Sequence, residues 1–186
     1  MTPQFPPVPP LMQAVLLILL LAAAVFDVRY RRIPNWLTVG GAVAGVALNT
    51  VIGRPVAGLA FALEGLALGF GLYFVLYALH AMGAGDVKLM AAVGALTGPA
   101  NWFGIFIVSA IVGGVLALLV VVVRGRVKTT FWNMGFILGE LTRGRPAYLD
   151  KEELDVKNPK AMGLPHGAVI AIGTIFFLAI SPHLTR

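Results

Sequence analysis

Apolar residues run in long blocks along this chain, and the polar residues collect between them. Blocks bounded by proline, glycine or charge fall at about 11–28, 36–52, 57–80, 87–98, 101–123 and 165–181. No segment alternates apolar and polar residues as the strands of a membrane barrel do, so the predicted elements are helices. A helix needs roughly 20 apolar residues to cross a bilayer, with about 17 as a practical minimum. Most blocks satisfy this. The fourth, VKLMAAVGALTG, is short, and neither its length nor its periodicity makes it a crossing.

The basic residues decide the count. Of 14 Lys and Arg, 12 lie in three connections. Arg29, Arg31 and Arg32 follow the first block, Lys88 sits at the start of the fourth, and eight more fall between Arg124 and Lys160. Only Arg54 and Arg186 lie elsewhere. Basic loops stay cytoplasmic, so an even number of crossings must separate residue 32 from residue 124. Four blocks lie between them, and removing the short one breaks the parity. The predicted fold is all-α: six transmembrane helices in a single membrane-embedded domain over 1–186, with both termini outside the cytoplasm.

Two segments fall outside this pattern. Residues 1–10 are proline-rich and read as a short disordered or extended lead-in. They lack the positive n-region and cleavage site of a secretory signal. Residues 124–164 form the sizeable extramembrane segment, between helices 5 and 6. There Phe131, Met134, Leu138 and Leu141 share one helical face beside Trp132, Lys128 and Arg143, the pattern of an interfacial amphipathic helix. The following YLDKEELDVKNPK is charged, mixed in sign, and reads as a solvated loop.

Composition agrees with the blocks and narrows the function. The chain is 59% hydrophobic and 12% charged, with mean hydropathy +0.89, whereas soluble domains carry about 25% charged residues. Its net charge of +6 follows from orientation and from attraction to anionic lipid headgroups; nothing in it asks for a nucleic acid. The absence of cysteine excludes disulfides, thiolate zinc sites and cysteine nucleophiles. No metal or cofactor site is expected. His80, His166 and His183 are scattered at block ends and read as packed or interfacial residues. Glycines within the blocks, such as Gly45, Gly65 and Gly69, allow close helix approach, which is a packing signal.

Five of the eight acids belong to 124–164. The other three, Asp27, Glu64 and Asp86, lie in or at the edge of spans, where ionisable groups are costly and default to function. Asp86, alone, reads as a helix N-cap favoured by the dipole. Asp27 ends its block near a helix C-terminus, where the dipole disfavours an anion, although the neighbouring arginines can neutralise it. The topology sets both at the cytoplasmic membrane edge. Two facing carboxylates share one proton; one can then take a proton from an attacking water while the other protonates a carbonyl oxygen. Glu64 lies nearer the outer side and reads as a packing or interfacial polar residue.

Three motifs carry a family resemblance. GAGD at 83–86, within GAGDVKLM, resembles the Gly-x-Gly-Asp motif of membrane aspartyl proteases. FDVRYRRIPNWLT at 26–38 is similar to the first-aspartate segment of type IV prepilin peptidases, and MGLPHGAVIAIG at 162–173 looks like that family's closing Pro-x-Gly segment. The resemblance implies that Asp27 and Asp86 are the catalytic pair. It implies a bacterial inner-membrane enzyme with its site facing the cytoplasm, cutting the basic leader from prepilins or pseudopilins, generally after a glycine. The substrate's apolar N-terminal helix would stay in the bilayer.

Gly83 and Gly85 would let substrate backbone approach Asp86, and Lys88 would support the site or snorkel to headgroups. Pro34 suits the first turn of the second helix, with Asn35 beside it. His166 stands where the family often has an aromatic residue. The absence of cysteine and of a long N-terminal region implies a peptidase without methyltransferase activity, similar to the short enzymes of tight-adherence (Flp-type) pilus systems. Two other readings stay open. One is a proton- or cation-coupled transporter using Asp27, Glu64 and Asp86; the other is a catalytically silent scaffold of a pilus assembly.

Overall fold

The computed structural model of the chain describes residues 5–53, 55–125 and 165–184, together with Lys128, Thr130 and Trp132. Five helices and no strand occur among them: α1 (Pro10–Tyr30), α2 (Asn35–Ile52), α3 (Pro55–Ala78), α4 (Ala84–Val123) and α5 (His166–Leu184). The expected amphipathic helix, with Phe131, Met134, Leu138 and Leu141, and the charged loop after it lie outside the described residues. The lead-in is extended from Phe5 to Pro9 and packed: Phe5 meets the Phe177 ring edge-on at 5.4 Å.

Four of the helices, α1 to α4, are long and apolar enough to cross a membrane, and α5 contains a shorter apolar stretch, His166–Ser181. Length therefore supports fewer crossings than the six expected. The difference lies in α4, which takes up the fourth and fifth apolar blocks as one element of 40 residues. It is not straight. Gly98 has φ 72° and ψ 175°, a region only glycine occupies readily, and Pro99 follows it as the first residue of a new helical arm.

The Trp102 indole N–H donates to the Met90 carbonyl at 3.0 Å. Twelve residues along a straight helix would separate those levels by about 18 Å. The two arms of α4 therefore fold back on each other as a hairpin, with Gly98 at its tip.

Hydrogen bonds mark the two ends of the bundle. At one end Lys88 Nζ donates to Asn35 Oδ1 at 2.9 Å, and the Gly167 N–H donates to Asp27 Oδ2 at 2.7 Å. These gather the end of α1 and the starts of α2, α4 and α5. At the other end Asn49 Nδ2 donates to the Ala95 carbonyl at 2.9 Å, and Asn101 Nδ2 donates to the Pro6 carbonyl at 2.9 Å. The end of α2, the hairpin tip and the lead-in meet there.

The first arm of α4 is the centre of the fold. Asp86, Val87 and every residue from Leu89 to Gly98 are buried. A helix covered on all sides has no polar face, so its sequence shows no amphipathic period. Its close neighbours are admitted by glycine: a Cβ on Gly65 would strike the Gly94 carbonyl, and one on Gly94 would strike that of Gly65. The α3–α4 crossing is thus backbone against backbone, as expected where lipid removes any hydrophobic advantage to helix association.

Candidate active site

Asp27 sits one turn before the C-terminus of α1. The helix closes with Arg31 in the left-handed region (φ 52°), its N–H donating to the Asp27 carbonyl at 2.9 Å. This turn directs the chain through Ile33 and Pro34 into α2, where Pro34 is the N-cap and Asn35 the first helical residue. Pro34 thus stands one position before the first turn that its sequence suggested. The Asp27 carboxylate is 9% exposed and meets the start of α5 through the Gly167 N–H. An anion at a helix N-terminus is favoured by the dipole and by unpaired N–H groups. That contact offsets the unfavourable position Asp27 holds at the end of α1.

Asp86 is 7% exposed. Helix α4 starts at Ala84 with Gly83 as its N-cap, so Asp86 is the third helical residue and not the cap itself. Its Oδ2 accepts the Gly83 N–H at 3.2 Å, the acidic half of a capping box. Asp86 lies within electrostatic reach of Asp27 and His166, and of Tyr73 near the end of α3. Four elements, α1, α3, α4 and α5, therefore supply ionisable groups to one place.

The supporting residues divide. Gly83 has room: a Cβ there would meet only Asp86 Oδ2, at 3.4 Å. Gly85 packs on Ile33, and a Cβ there would come to 3.3 Å from the Ile33 Cβ, so it serves the packing of the α1–α2 link against α4. Lys88 is half-buried and bonded to Asn35, tying the starts of α2 and α4 together. Glu64 is exposed on α3, away from the buried stripe of Gly58, Ala62, Gly65, Gly69 and Tyr73; it does not join the aspartates.

Two residues gain a place that sequence reasoning left blank. Gly167 holds Asp27, and a Cβ on it would press on Asp27 Oδ2 at 3.1 Å and Ile33 Cδ1 at 3.0 Å. His166, beside it, lies within electrostatic reach of Asp86. The signal for both was the Pro165-His166-Gly167 triplet, which starts α5 and whose glycine leaves space for a carboxylate.

A helical membrane protein with two buried aspartates in electrostatic reach of each other, each accepting a glycine N–H, is the class these features define. A model of the type IV leader peptidase family matches residues 14–118, and the chain belongs to that family. The match includes both aspartates and ends before α5. Membership makes the protein a membrane protease. No curated protein and no solved structure matches the chain significantly.

Proposed function

We propose that this protein is an aspartic endopeptidase that removes the basic leader of prepilins or pseudopilins, generally after a glycine. Asp27 and Asp86 share a proton; one carboxylate takes a proton from water as it attacks the scissile carbonyl, and the other protonates the carbonyl oxygen. The observation that supports this most is the burial of both acids at one end of the bundle, on helices far apart in sequence. The same end carries Arg29, Arg31, Arg32, Lys88 and Arg124, so the positive-inside tendency makes it cytoplasmic. Six helical passes, counting the two arms of α4 separately, then cross a bacterial inner membrane. No step calls for a metal or cofactor, and no methyl transfer is assigned. The exposed position of Glu64 gives no support to a relay with the aspartates.

Asn is the informative substitution at both positions, because its side-chain oxygen can still accept the glycine N–H. Asp27→Asn and Asp86→Asn are each expected to retain a folded protein, seen as an unchanged melting temperature in detergent. Each should lose at least about 100-fold in processing a co-expressed prepilin. Normal processing by either variant would end the dyad assignment.

A further inference from the structure

Beside the acidic pair a groove of about 340 Å³ opens between the end of α3, the return arm of α4 and the start of α5. Its lining includes His166 and Tyr73, both within electrostatic reach of Asp86. Its floor along α4 is Phe106, Ala110, Gly113 and Ala117, one helical face that is small beyond the phenylalanine. Ala110 and Gly114 are exposed, and a Cβ on Gly114 would meet nothing within 4 Å. The groove is therefore open sideways, toward the lipid.

Beneath the groove α4 and α5 are in close contact: Ser109 is 3% exposed and faces Gly173, where a Cβ would strike it. Gly173 is seven residues along α5 from His166, about 10 Å deeper in the bundle.

We infer that this groove seats the apolar transmembrane helix of the substrate, its scissile end at His166. The inference rests on the leader-peptidase reading above and adds the side from which the substrate arrives. With Ala110 and Gly114 exposed at the opening, the substrate helix lies along it and inserts one face. Small residues on α4 permit that close approach. A second depression, lined by Phe26, Tyr30, Arg32, Ile33, Pro34 and Asn35, lies on the α1–α2 side and carries a cation, which suits a basic leader poorly.

The chain contains no cysteine, so engineered thiols report contact without background. Ala117→Cys and Gly114→Cys are placed singly in the Asp86→Asn protein, which keeps bound prepilin intact. Each is oxidised in membranes against prepilins carrying one cysteine, walked along the apolar helix. Disulfides are expected from both groove positions with a period of 3.6 substrate residues, at least 10-fold above those from Val39→Cys on the exposed face of α2. Equal or stronger cross-linking from Val39→Cys, or none from the groove, overturns the inference.

Cleavage of the same prepilin by the unmodified enzyme is scored separately. A groove that cross-links in a protein that does not cleave sinks the peptidase reading alone; cleavage without groove contact sinks the groove alone.

Discussion

Three glycines near the acids separate packing from chemistry. Gly83 has φ −81° and space for a methyl group, so the fold does not require glycine there. Gly167 is tighter, because a Cβ would press on the carboxylate it holds and shift it by a few tenths of an ångström. Gly85 is intermediate, tight against one side chain that can yield. Gly83→Ala is therefore expected to leave thermal stability unchanged, so any loss of prepilin cleavage reports substrate access to Asp86. Gly167→Ala should cut cleavage at least 10-fold by displacing Asp27. Melting curves beside cleavage rates make the comparison, and a Gly167→Ala enzyme of full activity would refute the positioning role. At this scale the motifs single out the aspartates as candidates, since GAGD and FDVRYRRIPN contain them. They did not reveal what Gly167 does, because a hydrogen bond across 140 residues leaves no local pattern.

Helix α4 shows why an element can be misjudged by its length. Its first arm spans only 84–97, about 21 Å of helix, and reads as too short to cross a bilayer. Burial on every side explains how such a piece is tolerated: its neighbours, not lipid, surround it. The gap between the fourth and fifth apolar blocks was visible at Gly98-Pro99. The sharp reversal there was not, because it depends on the Phe61 ring of α3 closing over Gly98. Gly98→Ala combines a backbone region that costs about 1–3 kcal/mol for other residues with a clash against that ring. Its expected destabilisation is at least about 2 kcal/mol. Trp102→Phe removes the indole N–H bond across the hairpin, where interhelical bonds average about 0.6 kcal/mol, and also leaves a cavity, because Trp102 is fully buried against Tyr73 and Phe106. Chemical denaturation in mixed micelles should therefore show both variants destabilised. A Gly98→Ala protein as stable as the unmodified one would mean that the glycine turn does not close the hairpin.

Across the whole molecule, the alternation of ends ties charge to mechanism. The bonds at Asn35 and Gly167 collect one set of helix ends, and those at Asn49 and Asn101 collect the other, so the direction of each helix is fixed by specific contacts and not by the charge bias of the connections. Among the described residues, Arg29, Arg31, Arg32, Lys88 and Arg124 nevertheless fall at the end that holds the aspartates. Sequence parity anticipated this because the positive-inside bias acts during insertion, before any packing forms, and so leaves its mark in composition. The packing that turns two membrane-edge acids into one site forms later and is written in glycines whose spacing alone does not assign partners.

Topology reporters test the alignment of the two. A reporter fused near residue 150 should read cytoplasmic, and one inserted at Gly53, where α2 ends, should read periplasmic. The parity argument adds a sharper arm. Replacing Arg29, Arg31 and Arg32 with Gln weakens the charge signal of the first connection while eight basic residues remain after Arg124. If insertion follows the total charge at the acidic end, both reporters keep their sides. If α1 alone sets the orientation, both invert, and the active site would face away from a cytoplasmic leader even though every helix contact is preserved. Loss of cleavage with retained thermal stability would accompany that inversion, whereas retained cleavage with inverted reporters would contradict a cytoplasmic site.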